Sequence, residues 1–596
     1  MTQTSRWTGV AAAAACLAGL APAQSTERVS VATGGAQGNS HSYAPSISDD
    51  GRFVAFYSQA SNLAAGDTNL AFDAFVRDRM NGTTERVSLD SSGAQASGPS
   101  QNPWISADGQ CVAFESNAAN LVAGDTNGSR DVFVRDRMTG TTERVSVDSA
   151  GLQANAQSER PSISADGRFV AFRSLASNLV AGDTNGTWDL FVRDRMSGTT
   201  ERVSVDSAGG QANSSSEWPS ISADGRFVAF RSIATNLVSG DTNGTWDVFV
   251  RDRMSGTTER VSVDSAGAQG NGASDFPSIS ADGRFVAFQS LATNLVTGDA
   301  NGQPDVFVRD RMNGTTECAS LSTAGVPGNN DSDLPSISAD GRFVSLRSTA
   351  SNLVAGDTNA LSDIFVRDRM SATTRRASVD SAGVQSNDGS GSSALSADGR
   401  FVAFESWASN LVGNDTSGFR DAFVRDAGPR PPGTDLCQPG SGGVIACPCA
   451  NPPLSAPLGC DNSSATGGAQ LVSSGAASLS ADTLVLATNG EKPTATSVVL
   501  QGSAGIANGA VFGMGVRCVG GGLKRLYVKT SAGGSITVPG PGDPSVSARS
   551  AALGDTIVAG TNRWYAVYYR DPIVLGGCPA TSTFNVTQTQ LVTWGA

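Results

Sequence analysis

A pattern of apolar and polar positions recurs along the chain, and the copy at Pro161–Asp206 shows it in full. The run Pro-Ser-Ile-Ser and an Ala-Asp-Gly turn precede the nearly continuous apolar run Arg168–Ser174. Asp189–Arg195 is a third apolar run, and Glu201–Asp206 alternates polar and apolar residues. The pattern predicts four antiparallel strands, because a strand alternates between two faces and an all-apolar run is buried on both. The Asp-Gly pair predicts a type I′ hairpin turn.

The copies follow one another at a constant interval of 58 residues. The turn aspartates that mark them are Asp50, Asp108, Asp166, Asp224, Asp282, Asp340 and Asp398. A fixed period of this size is typical of solenoids and propellers, and four strands per copy indicate a propeller blade. The seventh copy stops at Asp426, before its fourth strand, and a matching segment stands at Thr26–Val31. We therefore expect an all-β fold in which residues 24–426 form a seven-bladed β-propeller closed by an N-terminal strand.

A second domain is expected after the repeats. Residues 427–436 are rich in Pro and Gly and predict a linker. Short β-rich runs in residues 437–596 predict a small β-sandwich. Six cysteines fall in this part, and they lack the paired C-x2-C spacing of zinc sites, so we expect disulfides of undetermined pairing. They are Cys437, Cys447, Cys449, Cys460, Cys518 and Cys578.

The N-terminal residues change the expected location of the protein. Residues 1–23 contain Arg6, the apolar run Val10–Leu20 and an Ala-Pro-Ala end, which predicts a signal peptide. A lipoprotein signal at Cys16 is the alternative, but Ala13 stands where a larger aliphatic residue is expected. We expect a secreted or periplasmic protein without a membrane span. The net charge of −13 argues against a nucleic-acid partner.

The repeat also resembles a known family. Ser-Ala-Asp-Gly-Arg-Phe-Val-Ala-Phe followed by Asp-Val-Phe-Val-Arg-Asp is similar to the WD40-like (PD40) repeat of TolB-type propellers, and the resemblance covers residues 25–426. It implies the propeller fold. It implies little about function, because such propellers serve as binding platforms, periplasmic partners and accessory domains of peptidases and lyases. The cysteine-containing C-terminal part resembles uncharacterised modules of exported bacterial proteins, which implies no activity.

The long loop between the second and third strands carries Asp, Asn and Asp at positions i, i+2 and i+6. This run resembles the end of the calcium loop of integrin-type propellers, but Ala181 stands where that family has a further Asp. The resemblance implies calcium sites, and the alternative is Asx-turns in which these side chains bond nearby N–H groups. The residues are Asp67, Asn69, Asp73, Asp125, Asn127, Asp131, Asp183, Asn185, Asp189, Asp241, Asn243, Asp247, Asp299, Asn301, Asp305, Asp357, Asn359, Asp363, Asp415 and Asp421.

The connections from each fourth strand to the next first strand vary between copies. First strands of a propeller line its channel, so these connections are expected to surround one mouth and to form a partner-binding rim. The alternative is unselected drift of loop sequences. The rim residues are Tyr43, Trp104, Arg160, Trp218, Phe276 and Leu334.

No catalytic motif stands out. His41 is the one histidine, so Ser-His-Asp chemistry is disfavoured. Cys111 replaces an apolar residue of a second strand and is expected to be a buried thiol, whereas Cys318 is expected to be free. We expect a monomeric, non-catalytic exported binding or scaffold protein that takes a protein or glycan ligand at one channel mouth. The alternatives are a carboxylate-dependent glycan-active enzyme and a carbohydrate-binding surface adhesin.

Overall fold

The structure of the protein is a computed structural model that describes residues 24–299, 301–428, 433–436, 469–474, 477–479, 482–491, 493–512, 515–558, 561–570, 584–587 and 589–594. The chain divides into two compact units, and the boundary after the repeats falls between Gly428 and Pro429. The expected signal peptide and five of the six C-terminal cysteines lie outside the described residues, as does the side chain of Cys518. No helix of the described ranges is long and apolar enough to cross a membrane.

Seven four-stranded antiparallel sheets form the unit that contains the repeats, as the 58-residue pattern predicts. The strands of the first four sheets, preceded by the N-terminal strand, are β1 (Ser25–Arg28), β2 (Ser42–Ile47), β3 (Phe53–Ser58), β4 (Asp73–Asp78), β5 (Thr83–Arg86), β6 (Ser100–Ile105), β7 (Cys111–Ser116), β8 (Asp131–Asp136), β9 (Thr141–Arg144), β10 (Ser158–Ile163), β11 (Phe169–Ser174), β12 (Asp189–Asp194), β13 (Thr199–Arg202), β14 (Ser216–Ile221), β15 (Phe227–Ser232), β16 (Asp247–Asp252) and β17 (Thr257–Arg260). Those of the last three sheets are β18 (Ser274–Ile279), β19 (Phe285–Ser290), β20 (Asp305–Asp310), β21 (Thr315–Cys318), β22 (Ser332–Ile337), β23 (Phe343–Ser348), β24 (Asp363–Asp368), β25 (Thr373–Arg376), β26 (Ser390–Leu395), β27 (Phe401–Ser406) and β28 (Asp421–Asp426).

Each sheet is one blade, and in the first six blades the strands follow chain order from the channel outward. In the third blade, β10 is longer than the predicted first strand, and β13 starts and ends earlier than the predicted fourth. The predicted type I′ turn is wrong, because of its two central residues only Gly167 has a positive φ, of 71°. The Gly167 N–H donates to the Ser164 carbonyl over 2.9 Å, and Asp166 accepts from the Ser164 hydroxyl. These bonds stabilise an ordinary turn followed by a left-handed glycine.

The ring of blades closes through the N-terminal strand. β1 pairs antiparallel with β28, in register from Ser25 opposite Asp426 to Arg28 opposite Phe423. The Val29 N–H continues the pairing by donating to Ala422 over 2.8 Å. The seventh blade therefore has the order β1-β28-β27-β26, and the predicted closure is confirmed.

A second circle of bonds closes one end of the channel, at the turns between first and second strands. Each blade donates one backbone N–H to the carbonyl of the next blade, over 3.0 to 3.1 Å, and the seventh donates back to the first. We call this the amide-ring end. Its residues are Asp49, Ala107, Ala165, Ala223, Ala281, Ala339 and Ala397.

The core lies between neighbouring blades rather than within one. Phe172 and Phe191 of the third blade stack with their centroids 6.0 Å apart, and they pack with Val132 and Val134 of the second. Cys111 belongs to this interface as a buried free thiol, as predicted. Apolar side chains of each sheet are thus withdrawn from water only when the next sheet is present.

The C-terminal unit is also built mainly of strands. They are β29 (Gly433–Leu436), β30 (Gln470–Ser474), β31 (Val485–Asn489), β32 (Thr496–Gly502), β33 (Ala504–Phe512), β34 (Gly515–Gly520), β35 (Lys524–Thr530), β36 (Thr537–Val538), β37 (Asn562–Arg570), β38 (Phe584–Val586) and β39 (Thr589–Thr593). A six-stranded sheet contains β29-β39-β37-β32-β35 with β38 beside β37, and a smaller sheet has the order β30-β31-β36. Both sheets contribute to one core around Leu486, Tyr565 and Trp594.

Two features of this unit were not expected from the sequence. The helix α1 (Val546–Ala552) begins at Ser545, whose side chain accepts the Ala548 N–H, a common N-cap interaction. β29 lies inside the segment that was expected to be a linker, and it pairs with β39. The sequence did not predict α1 because a helix of seven residues is too short to show a clear helical period. It did not predict β29 because this strand has four residues and lies in a segment rich in Pro and Gly.

Loss of β1 should destabilise the whole propeller. A chain that begins at Ala32 exposes the edge of β28 and the contacts of Val29, which is 1% exposed in the intact protein. We expect a loss of about 3 kcal/mol or more in the free energy of unfolding, and concentration-dependent association through the free edge. Denaturant unfolding and light scattering measure the two effects. A chain that begins at Gln24 is the control, and equal stability of the two chains would contradict closure.

Candidate functional site

The channel of the propeller encloses a cavity of about 450 Å³. Its wall is made by the innermost strands, which place Pro, Ser and Ile side chains around it in most blades. Two charged residues line it: Asp49 belongs to the amide-ring end, and Arg160 lies near the start of the third blade's inner strand. We call the end at which the inner strands begin the rim end. A mostly apolar cavity with a few polar groups has the composition of a ligand site.

A β-bulge shapes the rim end. In the third blade the register shifts between Glu159 and Ser162, and Arg160 within the bulge has a φ of 54°. Five other blades have non-glycine residues at the equivalent position, with φ from 44° to 54°. They are Ala44, Asn102, Trp218, Phe276 and Leu334. Non-glycine residues in this region are strained, which makes the position a candidate for function.

The bulge could have been found in the sequence. A proline follows each of these six residues, at Pro45, Pro103, Pro161, Pro219, Pro277 and Pro335. Proline cannot donate to a strand ladder, so inside a strand it indicates a bulge or an edge. The seventh blade has Ser393 at this place, and Ser392 before it has no positive φ. The rim is therefore regular in six blades and different in the seventh.

The structure brings most of the predicted rim residues together. Arg160, Trp218, Phe276 and Leu334 occupy the bulge of four successive blades and line the cavity. The Trp218 and Phe276 rings meet edge to face, 4.7 Å between centroids, and the Arg160 guanidinium lies 4.2 Å from the Trp218 centroid. Tyr43 is not part of the cavity wall and stacks on Tyr57 instead.

Trp104 lines the channel at a deeper position. Five other blades have serine there, and each serine hydroxyl accepts a backbone N–H from the inner strand of the next blade. Trp104 cannot accept such a bond, and its side chain is 44% exposed. The exception in an otherwise repeated wall places a large aromatic surface inside the channel.

A network of ion pairs surrounds the rim behind the cavity wall, and sequence reasoning missed it. It crosses four blades, with N···O distances of 2.6 to 3.3 Å in five of its six contacts. In order, its members are Glu115, Arg130, Glu159, Arg173, Glu217, Arg231 and Asp275. Part of the signal was present: Glu115, Arg173 and Arg231 stand at a second-strand position where the first and fifth copies have Tyr57 and Gln289. The sequence did not show that some of their ion pairs join neighbouring repeats.

These carboxylates are held by arginines and are not presented to the channel. Burial raises the pKa of Asp275, although Arg231 pairs with it. Within the cavity wall the one carboxylate is Asp49, and burial, together with the neighbouring Asp50, raises its pKa. A glycosidase needs two carboxylates that face each other about 5 to 10 Å apart, and the described wall of the channel supplies one.

The aspartates of the long loops already have donors in six blades. In the second blade the Gln153 amide donates to Asp125 and Asp131 over 2.8 and 3.3 Å. The Arg144 guanidinium lies 3.4 and 3.7 Å from the same carboxylates. Asn127 donates to Asp131 over 3.0 Å and, as in an Asx-turn, accepts from a backbone N–H two residues on. Burial is the main cause that raises the pKa of Asp131.

The seventh blade takes its donors from the other end of the chain. Arg28 lies 3.1 Å from Asp415 and 3.3 Å from Asp421. Gln37 donates to the same two carboxylates over 2.7 and 2.8 Å. The N-terminal segment therefore supplies a buried charge partner as well as a strand.

The fifth blade lacks both donors. Cys318 stands where the other blades have arginine, and Pro327 stands where they have glutamine. Asp305 accepts from Ser320 and Asn301, whereas Asp299 Oδ1 is buried and has no hydrogen-bond partner among the described residues. Burial raises the pKa of both aspartates and raises the pKa of the Cys318 thiol to about 12. Cys318 is a free thiol, as expected.

These contacts decide how well calcium fits the loops. In six blades an ion would have to displace a glutamine amide and an arginine from the carboxylates. The fifth blade fits better, because no described residue donates to Asp299 Oδ1. In the described part of the chain no three His, Cys, Asp or Glu side chains are grouped to hold a metal, so backbone and amide oxygens would have to complete the shell. Calcium stays a prediction.

His41 has a structural environment. Its Nδ1 accepts the Arg420 N–H over 2.9 Å, and its ring packs edge to face on Phe419, 5.0 Å between centroids. These contacts join the connection before β2 to the loop before β28, at the seam between the first and seventh blades.

No known protein family and no curated protein matches the chain. Among solved structures it is similar to TolB from Acinetobacter baumannii, with 16% identity over 50% of this chain and 60% of that chain and a TM-score of 0.30. It is similar to an oligogalacturonate lyase in complex with manganese, with 12% identity over 69% of this chain and 95% of that chain and a TM-score of 0.40. It is also similar to the β-propeller domain of the Trilobed protease from Pyrococcus furiosus, with 12% identity over 65% of this chain and 95% of that chain and a TM-score of 0.40. These values carry no conclusion about activity or ligand.

The calcium prediction is sharpest for the fifth blade. Millimolar calcium should raise the melting temperature of the protein, since a bound ion stabilises the folded state by RT ln(1 + [L]/Kd). D299N should remove most of that shift, because it neutralises the carboxylate whose Oδ1 has no donor among the described residues, and D125N should retain it. Thermal unfolding with calcium and with a chelator measures the effect. An unchanged melting temperature in millimolar calcium would contradict calcium binding.

Restoring the missing donors should stabilise the fifth blade. We expect C318R/P327Q to increase the free energy of unfolding by about 1 kcal/mol or more, because a guanidinium and an amide then reach Asp299 and Asp305. The reverse change in the second blade, R144C/Q153P, should cost about 3 kcal/mol or more, since it removes the guanidinium and the amide that face two buried carboxylates. Denaturant unfolding measures both. Destabilisation by C318R/P327Q would contradict the expectation that the missing donors to Asp299 and Asp305 reduce the stability of the fifth blade.

Proposed function

We propose that this protein is an exported, non-catalytic binding protein that holds its ligand at the rim end of the propeller channel. The observation that carries the proposal is the difference between the rim and the rest of each blade. The strands, turns and blade interfaces repeat almost without change, whereas the bulge residue is Ala, Asn, Arg, Trp, Phe, Leu or Ser in the seven blades. Variation confined to one end of a rigid scaffold is typical of a recognition surface.

The cavity supports binding of a small molecule or of a short protruding group. Its volume of about 450 Å³ lies within the usual range of ligand sites. Trp104, Trp218 and Phe276 supply aromatic surface there, and aromatic faces stack on apolar and planar groups. Trp218 and Phe276 sit at the strained bulge position, which fixes where they stand before a ligand arrives and lowers the entropic cost of binding.

We also propose that the protein does not chemically change its ligand. The wall of the cavity has one carboxylate, Asp49, and its one guanidinium, Arg160, belongs to the opposite end. The carboxylates behind the rim are bonded to arginines, which keeps them from acting as acid and base together. A glycan-active enzyme is the alternative, and it would need a second acidic group from outside the described wall.

Export and a monomeric state complete the proposal. The apolar N-terminal run followed by Ala-Pro-Ala supports export. Pairing with β1 covers the edge of β28, which a second copy could otherwise add a strand to, and this supports a monomer.

Trp104 is the residue whose replacement tests the site without harming the fold. W104S introduces the residue that five other blades have at this position, and its hydroxyl can accept the N–H of the next blade as theirs do. We expect W104S to keep or raise the melting temperature and to weaken ligand binding about tenfold or more, since stacking area is lost.

Binding is measured on glycan and peptide arrays, followed by titration of the hits with intact protein and W104S. V472S, a change at a partly exposed side chain of the other unit, is the control. Hits that bind the intact protein and W104S equally would place the ligand outside the channel. Chemical change of a bound oligosaccharide during the titration would favour the enzyme.

A further inference from the structure

Arg160 differs from the other arginines of the propeller. Those arginines bond to carboxylates, as Arg173 does to Glu159, or to backbone carbonyls, as Arg193 does to Asp148. Among the described residues no acceptor lies within hydrogen-bonding or ion-pairing distance of the Arg160 guanidinium, and its one recorded contact is the Trp218 ring at 4.2 Å. Its N–H groups are therefore free to bind a ligand in the cavity, whose wall it lines.

The position of Arg160 is fixed by its neighbours. Its backbone N–H donates to Glu115 Oε2 over 2.7 Å. The other oxygen of Glu115 accepts from Asn102 and Arg130 over 2.9 and 3.0 Å, so this carboxylate is already occupied. The contact with the Trp218 ring face does not use the N–H donors of the guanidinium in hydrogen bonds. Burial lowers the pKa of Arg160, with Glu115 opposing that effect, and the group remains a cation at neutral pH.

We propose that Arg160 binds the carboxylate of a small amphipathic organic acid whose apolar body lies in the channel. This inference rests on the proposed function, because it assigns a ligand class to the same site. A cation that is partly withdrawn from water without an acceptor is costly, and an anionic ligand that supplies two acceptors removes that cost. In a protein with a net charge of −13, this free guanidinium is a local attraction for an anion.

The channel wall selects the rest of the ligand. Below the rim it presents Trp104, isoleucines and prolines, which favour an aliphatic or aromatic body over a sugar with many hydroxyl groups. Asp49 at the amide-ring end repels a second negative charge. A ligand with one acidic end and one apolar end therefore enters with its apolar part first and leaves its carboxylate at Arg160.

The test compares three probes of one shape. 4-Phenylbutyrate, 4-phenylbutyramide and 4-phenylbutylamine share the phenyl group and chain but differ in charge. Isothermal titration calorimetry with the full chain should show the carboxylate binding about tenfold or more tightly than the amide, as expected for charge-assisted bonds, and the amine binding most weakly. High salt should reduce the difference between carboxylate and amide.

Two variants and one control assign the effect to Arg160. R160Q should lower the affinity for the carboxylate to that for the amide, and R160K should retain part of the preference because it keeps the charge. R420Q is the matched control, since Arg420 also stacks on a tryptophan, Trp407, but bonds to Glu405 over 2.8 Å. It should bind all three probes as the intact protein does. Circular dichroism and melting temperatures show that each variant is folded.

Three results would overturn the inference in different ways. Equal affinity for the carboxylate and the amide in the intact protein, with both lost in W104S, would refute the role of Arg160 and leave the channel as a binding site. Carboxylate binding that is unaffected by both R160Q and W104S would place the site elsewhere and count against the proposed function too. Failure of all three probes to bind would refute the ligand class, while array hits sensitive to W104S would still support the channel.

Discussion

Each blade of this propeller keeps a pair of aspartates out of water, and the structure depends on how their charge is compensated. Asp131 and its counterparts are 0 to 1% exposed, and a buried carboxylate without donors is strongly destabilising. In the first blade Arg86 and Gln95 face Asp67 and Asp73 from the segment that includes and follows the outer strand. The charge of these aspartates is therefore compensated by an Arg and a Gln only when the outer strand of the blade is present.

That requirement explains the closure of the ring. The seventh blade ends at β28 and has no outer strand of its own, so Arg28 and Gln37 of the N-terminal segment compensate Asp415 and Asp421. The backbone pairing of β1 with β28 and the bond from Ala397 to Asp49 at the amide-ring end join the same two blades. Hydrogen bonding, charge and apolar packing thus favour one closed arrangement of seven blades.

Against this regular background, the departures from the repeat are the informative positions. The fifth blade loses Arg and Gln together, at Cys318 and Pro327. The rim varies from Ala44 to Arg160 and Trp218, and Trp104 replaces a serine of the channel wall. Because the scaffold tolerates these changes without altering its strands, it can present a different chemical surface at one end of the channel, and Arg160 is the one free cation of that described surface.

The amino-acid sequence alone was sufficient for the architecture, because the 58-residue period and the separated half-blade are properties of a linear pattern. It predicted blade number, strand order, closure by residues 26–31 and the side of the propeller on which Arg160, Trp218 and Phe276 lie. It could not decide which residues far apart in the chain meet. Gln153 lies 28 positions from Asp125, and the ion pair of Arg173 with Glu217 spans 44. Such contacts arise only when the strands twist and the blades pack. Only the tertiary structure therefore showed that the loop aspartates of six blades have side-chain donors, and that the Arg160 guanidinium has no acceptor among the described residues.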